Sequence, residues 1–189
     1  MISLTLDEAA QHLLSGEVGI LPSDTIYGIV ALASNEQAVA RLYSAKHREH
    51  KPGTVIAANI EQLVDLGLKR RYLQAVAQYW PGPVSVIIPC TDTLDYLRQG
   101  VPGVAVRIPS DPTVHTLLEQ TGPLLTSSAN QPGEPPATTI DEAKAYFENS
   151  VDFYTDGGDL SGRPPSTLIR IVDDTVEVLR QGAVHITEG

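Results

Sequence analysis

Cysteine is almost missing from this 189-residue sequence, and Cys90 stands alone. That excludes an internal disulfide and any zinc site built from several thiolates, and makes a reducing, cytoplasmic compartment the expectation. The one thiol follows an apolar run ending in Pro89, so it reads as a semi-buried structural residue rather than a nucleophile. Long hydrophobic stretches are missing too. Runs such as Val84 to Ile88 are far too short to span a bilayer, and Met1 to Glu8 lacks a basic region leading into an apolar one. No membrane association is therefore expected. Basic residues are scarce, 13 against 23 acidic ones, giving a net charge of −10. The overall field repels polyanions, which argues against a dedicated nucleic-acid module and requires any phosphate site to be local.

Several chemical signatures are absent as well. The chain has no G-x-x-x-x-G-K-[ST] loop, no G-x-G-x-x-G after a strand, no H-E-x-x-H and no G-x-S-x-G. Its five histidines are scattered, with only His47 and His50 close together, and no metal-ligand set can be assigned.

What is present is ordinary globular composition, 42% hydrophobic and 19% charged. The length suits one compact core, so residues 1–189 are expected to form a single domain. Capping boxes at Thr5/Glu8, Ser34/Gln37 and Thr139/Glu142 predict three helix starts, the first helix ending at Gly16. Asp111-Pro112 predicts a fourth, and Lys69 to Tyr79 a fifth. Apolar or β-branched runs predict strands at 18–21, 54–58, 84–88, 104–108, 124–126, 166–172 and 176–179, the last two joined as a hairpin through Asp173-Asp174-Thr175. Strands alternating with helices imply an α/β domain with a twisted, mixed parallel and antiparallel sheet.

The candidate chemistry sits at strand and helix ends. Lys46-His47-Arg48-Glu49-His50-Lys51 gathers three of the thirteen basic residues where the second helix should stop. A helix carboxyl terminus favours cations on its own, so charge by itself does not make this a site. Its company adds weight: Pro22 to Gly28 after one strand, Ser127-Ser128-Ala129-Asn130 after another, and Arg107 within the apolar Val104-Ala105-Val106-Arg107-Ile108-Pro109. An arginine there must meet either a ligand or an acidic neighbour, because burying it unpaired is costly.

Taken in order, these segments resemble the YrdC family of threonylcarbamoyl-AMP synthases, of the short, TsaC type. The matching set is Leu21 to Gly28, Lys46-x-Arg48 with Lys51-Pro52, Trp80-Pro81-Gly82-Pro83, Val104 to Pro109, Ser128-Ala129-Asn130 with Gly133, Ser166-Thr167, and Leu179-Arg180-Gln181-Gly182. The resemblance implies a YrdC-like fold with an open concave cleft. It also implies a nucleotidyltransferase that makes threonylcarbamoyl-AMP from L-threonine, bicarbonate and ATP, normally with Mg2+, as the first step of threonylcarbamoyladenosine formation in tRNA. Lys46 and Arg48 would be catalytic. Arg48, Lys51, Ser128, Asn130 and Arg180 would hold ATP, and Thr25, Arg107, Thr126 and Ser166 would hold threonine. Implied partners are the enzymes that later transfer the threonylcarbamoyl group, with tRNA binding itself an open expectation. The same surface could instead serve a noncatalytic RNA-binding module or an adenylating enzyme for another carbamoyl substrate. The chain departs from the family pattern at Glu49, Ile56, Pro132 and Pro136, where the resemblance would place a proline, a histidine and two serines.

Overall fold

Thr5 and Glu8 close the box that the sequence predicts, the threonine hydroxyl accepting the Glu8 amide while the Glu8 carboxylate takes the Thr5 amide at 2.8 Å. They start α1 (Leu6–Leu14), and Gly16, at φ +88°, turns the chain out of it. The structure is a computed structural model that describes residues 2–47 and 51–187. The other helices are α2 (Glu36–Ala45), α3 (Ile60–Asp65), α4 (Arg70–Ala75), α5 (Asp95–Arg98), α6 (Pro112–Thr121) and α7 (Ile140–Phe147). The strands are β1 (Ile2–Ser3), β2 (Gly19–Leu21), β3 (Gly28–Leu32), β4 (Thr54–Ile56), β5 (Val84–Pro89), β6 (Gly103–Arg107), β7 (Leu124–Ser128), β8 (Phe153–Tyr154), β9 (Thr167–Val172) and β10 (Thr175–Arg180).

They form one sheet in the order β1-β8-β2-β3-β7-β4-β6-β5-β9-β10. Pairing is mixed: β4/β6 and β5/β9 are parallel, whereas β3/β7, β5/β6 and the β9/β10 hairpin are antiparallel. Local details differ from expectation. Asn35, not Ser34, caps α2, because its side-chain carbonyl reaches the amides of both Gln37 and Ala38. At α7 Thr139 does cap, but the Glu142 carboxylate bonds Thr138 instead of completing a box. The helix expected over 69–79 breaks at Val76 into α4 and a short 3-10 turn, Ala77–Tyr79. The strand β3 lies within a stretch whose polar start hid it.

Register fixes which side chains share a face, since residues directly opposite in a sheet point the same way. One row runs Val30, Thr126, Thr54, Ala105, Ile87, Arg170, Glu177 across seven strands. A neighbouring row on that face carries Leu32, Leu124, Ile56 and Arg107. The alternate residues Ile29, Leu125, Val55, Val106, Val86 and Ile169 point to the opposite face, where they are buried with Leu42 of α2, Leu63 of α3, Leu73 of α4, Leu97 of α5 and Phe147 of α7. The first face is covered only in part. There α1 and α6 bury Ala9, Leu13, Leu117 and Leu118 against Val30, Ile56 and Leu124, and leave the remaining surface open as a cleft.

Asp152, just before β8, ties two elements together: it accepts the Val18 amide at 2.8 Å and both oxygens take Arg41 at 2.8 Å. Burial opposes its charge, but the Arg41 guanidinium and the Val18 amide outweigh that and hold its carboxyl below the usual range. A depressed native pKa stabilises the fold above the unfolded-state value of about 3.9 and the benefit disappears as pH falls through the native value. The urea midpoint should therefore drop on acidification below about pH 4, and Asp152→Asn should lower the neutral midpoint while flattening that acid limb.

Candidate functional site

The open part of the sheet face is a cavity of about 150 Å³. It is lined from below by Gly28, Thr54, Ala105, Arg107, Thr126, Ser128 and Leu168, and from the sides by Thr25, Ser166 and Arg180. An adjoining hollow of about 180 Å³ is lined by Lys46, Lys51, Ser128, Asn130, Pro132 and Gly133. Ser128 belongs to both. All the residues expected to hold threonine, namely Thr25, Arg107, Thr126 and Ser166, thus face one cavity together with Ser128 and Arg180. Lys46, Lys51 and Asn130 face its neighbour. Arg48 lies outside the described residues.

Each group is set by local chemistry. Ser23 organises the turn after β2: its hydroxyl accepts the amides of Thr25 and Ile26 at 3.2 Å and donates to the Ile26 carbonyl at 2.7 Å. Such side-chain turns are what serine does where backbone donors would otherwise be orphaned. Thr25, 4% exposed, is thereby held at the cavity wall. Tyr27, fully buried, accepts the Gly157 amide and donates to the Gly158 carbonyl, both at 2.8 Å, pinning the loop that leads to Ser166. Burial pushes its phenol up, with Asp156 adding to the effect, so the hydroxyl stays protonated.

Arg107 is the floor. It is 3% exposed and its Nη1 pairs with the Asp24 carboxylate, while Arg107 Nε and Asp24 Oδ2 are buried without a hydrogen-bond partner. The acidic neighbour that an arginine in an apolar strand demands is therefore Asp24, yet the same arginine also lines the cavity. Arg180 sits across from it and donates to the Ser166 carbonyl at 2.8 Å, with the Ser166 and Ser85 hydroxyls 3.0 Å apart beneath.

Lys46 caps the carboxyl end of α2 and is 3% exposed. Its ammonium donates to the Ser128 carbonyl at 2.6 Å, to the Asn130 side-chain oxygen at 3.1 Å and to the Asn130 carbonyl. The turn it grips is stiffened from within: Ser128 donates to Asn130 Oδ1 at 2.6 Å, and Asn130 Nδ2 donates to the Glu134 carbonyl at 2.7 Å. Gln131 then fastens the turn to the helices, donating to Ala45 and Tyr146 carbonyls at 3.2 and 3.1 Å. The arrangement gathers cations, hydroxyls and amides around two adjoining hollows that share Ser128.

Sequence reasoning gave no role to Asp24, Ser23, Tyr27, Ser85 or Gln131. Only Asp24 had a usable signal, as an acid at a strand end in a chain with an arginine, Arg107, inside an apolar strand to satisfy. Trp80-Pro81-Gly82-Pro83 is scaffold: the Gly82 amide meets the Ile108 carbonyl at 2.9 Å and the Pro83 carbonyl takes the Thr167 amide at 2.9 Å. Of the departures, Ile56 is buried under α1 and α6, and Pro132 lines the Lys46 hollow without an amide to donate. Among the described residues no group of three or more His, Cys, Asp or Glu could hold a metal ion.

A mixed α/β sheet, flanked by helices and open on one face over a small cavity lined by Arg107 and Arg180, defines the class of fold. The chain belongs within it to the Sua5–YciO–YrdC family, whose model, described as telomere recombination, matches residues 11–182. It is similar to the threonylcarbamoyl-AMP synthase of Pseudomonas aeruginosa, 38% identical over 166 residues, covering 86% of this chain and 89% of that one. The Bacillus subtilis threonylcarbamoyl-AMP synthase is 32% identical across 94% of this chain, which spans 53% of it. Among solved structures, Pyrococcus abyssi Sua5 complexed with L-threonine superposes with a TM-score of 0.83 at 28% identity, over 94% of this chain and 54% of its own. The chain thus spans about half the length of the latter two relatives and most of the first.

Removing the Arg107 counter-charge should be costly. Asp24→Asn leaves a buried unpaired guanidinium and should lower stability by about 3–5 kcal/mol in urea titration, with the double variant Asp24→Asn/Arg107→Leu recovering most of that loss.

Proposed function

We propose that this chain is a threonylcarbamoyl-AMP synthase, a nucleotidyltransferase acting on L-threonine, bicarbonate and ATP. Family membership and the synthase relatives support the reading. The single observation that carries it furthest at the site is Arg107: a buried, cavity-lining guanidinium in company with Thr25, Thr126 and Ser166. That is the donor set a small hydroxylated amino acid requires, an arginine for its carboxylate and hydroxyls for its polar remainder. The cavity lies below the roughly 300–1,000 Å³ of drug-sized ligand sites, so it suits the amino acid alone. The nucleotide phosphates then occupy the adjoining hollow, where Lys46, Lys51, Ser128 and Asn130 meet them; Arg48 is assigned to the same grip, and Arg180 contacts ATP from the wall of the first cavity.

The chemistry follows from placement. Neutral threonine amine and bicarbonate form a carbamate and water. A carbamate oxygen then attacks the α-phosphorus in line, the bond to the leaving oxygen breaks, and pyrophosphate departs. The protein supplies positioning and charge neutralisation. Cations near the amine favour its neutral, nucleophilic form and stabilise the new carbamate. Lys46 and Arg48 are assigned that role. Magnesium enters with ATP as part of the substrate, since the cationic hollow offers it no carboxylate cluster among the described residues.

Residues 1–189 are read as one YrdC-like domain working in the cytoplasm. No helix among the described residues is long and apolar enough to cross a membrane. The product is a mixed anhydride that a later group-transfer enzyme would hand to a tRNA adenosine.

Purified protein should release pyrophosphate from ATP only when both L-threonine and bicarbonate are present, forming a threonine-labelled AMP adduct. Arg107→Gln should raise the KM for threonine roughly 30–100-fold, the value of one or two charged hydrogen bonds, with a smaller change for ATP. Absence of turnover by folded wild-type protein would overturn the assignment.

A further inference from the structure

Strand β10 does not run straight to its end. Val178 is opposite Ile169, but Arg180 is opposite Leu168, so the register slips by one residue between them. Without the slip Arg180 would lie opposite Thr167, whose side chain points away from the cleft, and the arginine would point away too. The bulge thus re-aims Arg180 to the face of Leu168, and both line the cavity. The extra residue, Leu179, is left 42% exposed. A β-bulge is a local distortion of the ladder and needs something to hold it in place.

Thr167 is what holds the chain just past it. The side chain is fully buried, and its hydroxyl accepts the Gly182 amide at 3.0 Å and the Val184 amide at 3.2 Å while donating to the Val184 carbonyl. One donor and two acceptor sites are all that a threonine hydroxyl possesses, so its capacity is used up. The Ala183 amide adds a bond to the Pro165 carbonyl at 2.8 Å. The approach is so close that a Cβ on Gly182 would stand 2.2 Å from that carbonyl oxygen.

We propose that Thr167 is a positioning residue that clasps residues 182–184 and thereby keeps the β10 bulge and Arg180 directed into the cleft. It touches no substrate, because its side chain faces the other side of the sheet from Ser166 and Leu168. The proposal rests on the functional reading above, in which Arg180 holds ATP.

Thr167→Val keeps the shape and removes all three hydroxyl bonds, whereas Thr167→Ser keeps the bonds. In the pyrophosphate assay, and in calorimetric titration with ATP, Thr167→Val should weaken ATP roughly tenfold, with the threonine KM changed far less. Thr167→Ser should restore wild-type values. In an Arg180→Ala background Thr167→Val should add little to the ATP defect, because the two act as one unit. Gly182→Ala, which forces the same clasp open, should reproduce the ATP-selective defect if Thr167→Val proves too unstable to purify. Equal loss for both substrates, a lowered Tm with both affinities intact, or an effect additive with Arg180→Ala would each overturn the positioning role. Wild-type protein that neither binds ATP nor turns over would instead overturn the functional reading beneath it.

Discussion

The buried pair between Arg107 and Asp24 is the constraint around which the site is arranged. An arginine in the middle of a sheet cannot be left alone in a medium of low dielectric, so the turn after β2 must deliver a carboxylate to it. That requirement fixes Asp24, and with it Thr25 on one side and Ser23 on the other. Replacing the pair with apolar residues would be expected to cost the fold little. What the pair provides is a guanidinium held at the wall of a small cavity, which an apolar floor could not offer.

The helices decide where that cation can be used. Because α1 and α6 cover only the Val30, Ile56 and Leu124 portion of the face, the same row of strands is core at one end and cleft at the other. Residue type follows this division: valine, isoleucine and leucine under the helices, threonine, serine, glycine and arginine where they stop. The opposite face is mostly apolar and packed against α2, α3, α4, α5 and α7, with Ser127 and Thr167 as buried polar exceptions.

Much of this was legible in the sequence, for identifiable reasons. Seven strand runs were visible because each is β-branched or apolar and bounded by turn residues, and Thr5 and Asp111 announced their helices through side-chain chemistry that acts over three or four residues. Thr25, Arg107, Thr126 and Ser166 could be grouped only through resemblance to a family, since they lie on four separate segments. Gln131 and Thr167 were illegible as working parts, because their roles consist of bonds to residues far along the chain: Gln131 to Ala45 and Tyr146, Thr167 to Gly182 and Val184. Asp24 carried a signal as an acid at a strand end, but its bond to Arg107 also spans distant segments. Nor does local propensity reveal the one-residue slip that turns Arg180 inward, since a slip is a property of two strands together.

The chain carries a net charge of −10 and yet places cations around two adjoining hollows. These facts fit together once distance is considered. Exposed acids more than about 8–10 Å away are largely screened at physiological salt, whereas Lys46 and Arg107, each 3% exposed, act on a ligand through little intervening water. The local field therefore favours a small anion that can enter the cavity, while the outer surface disfavours long polyanions that would have to lie across it. Lys46 illustrates how the fold keeps such a charge in place. Its ammonium donates to carbonyl oxygens of Ser128 and Asn130, which fix where it stands at the wall of the hollow. Acceptors of this kind orient an ammonium without adding a formal negative charge of their own.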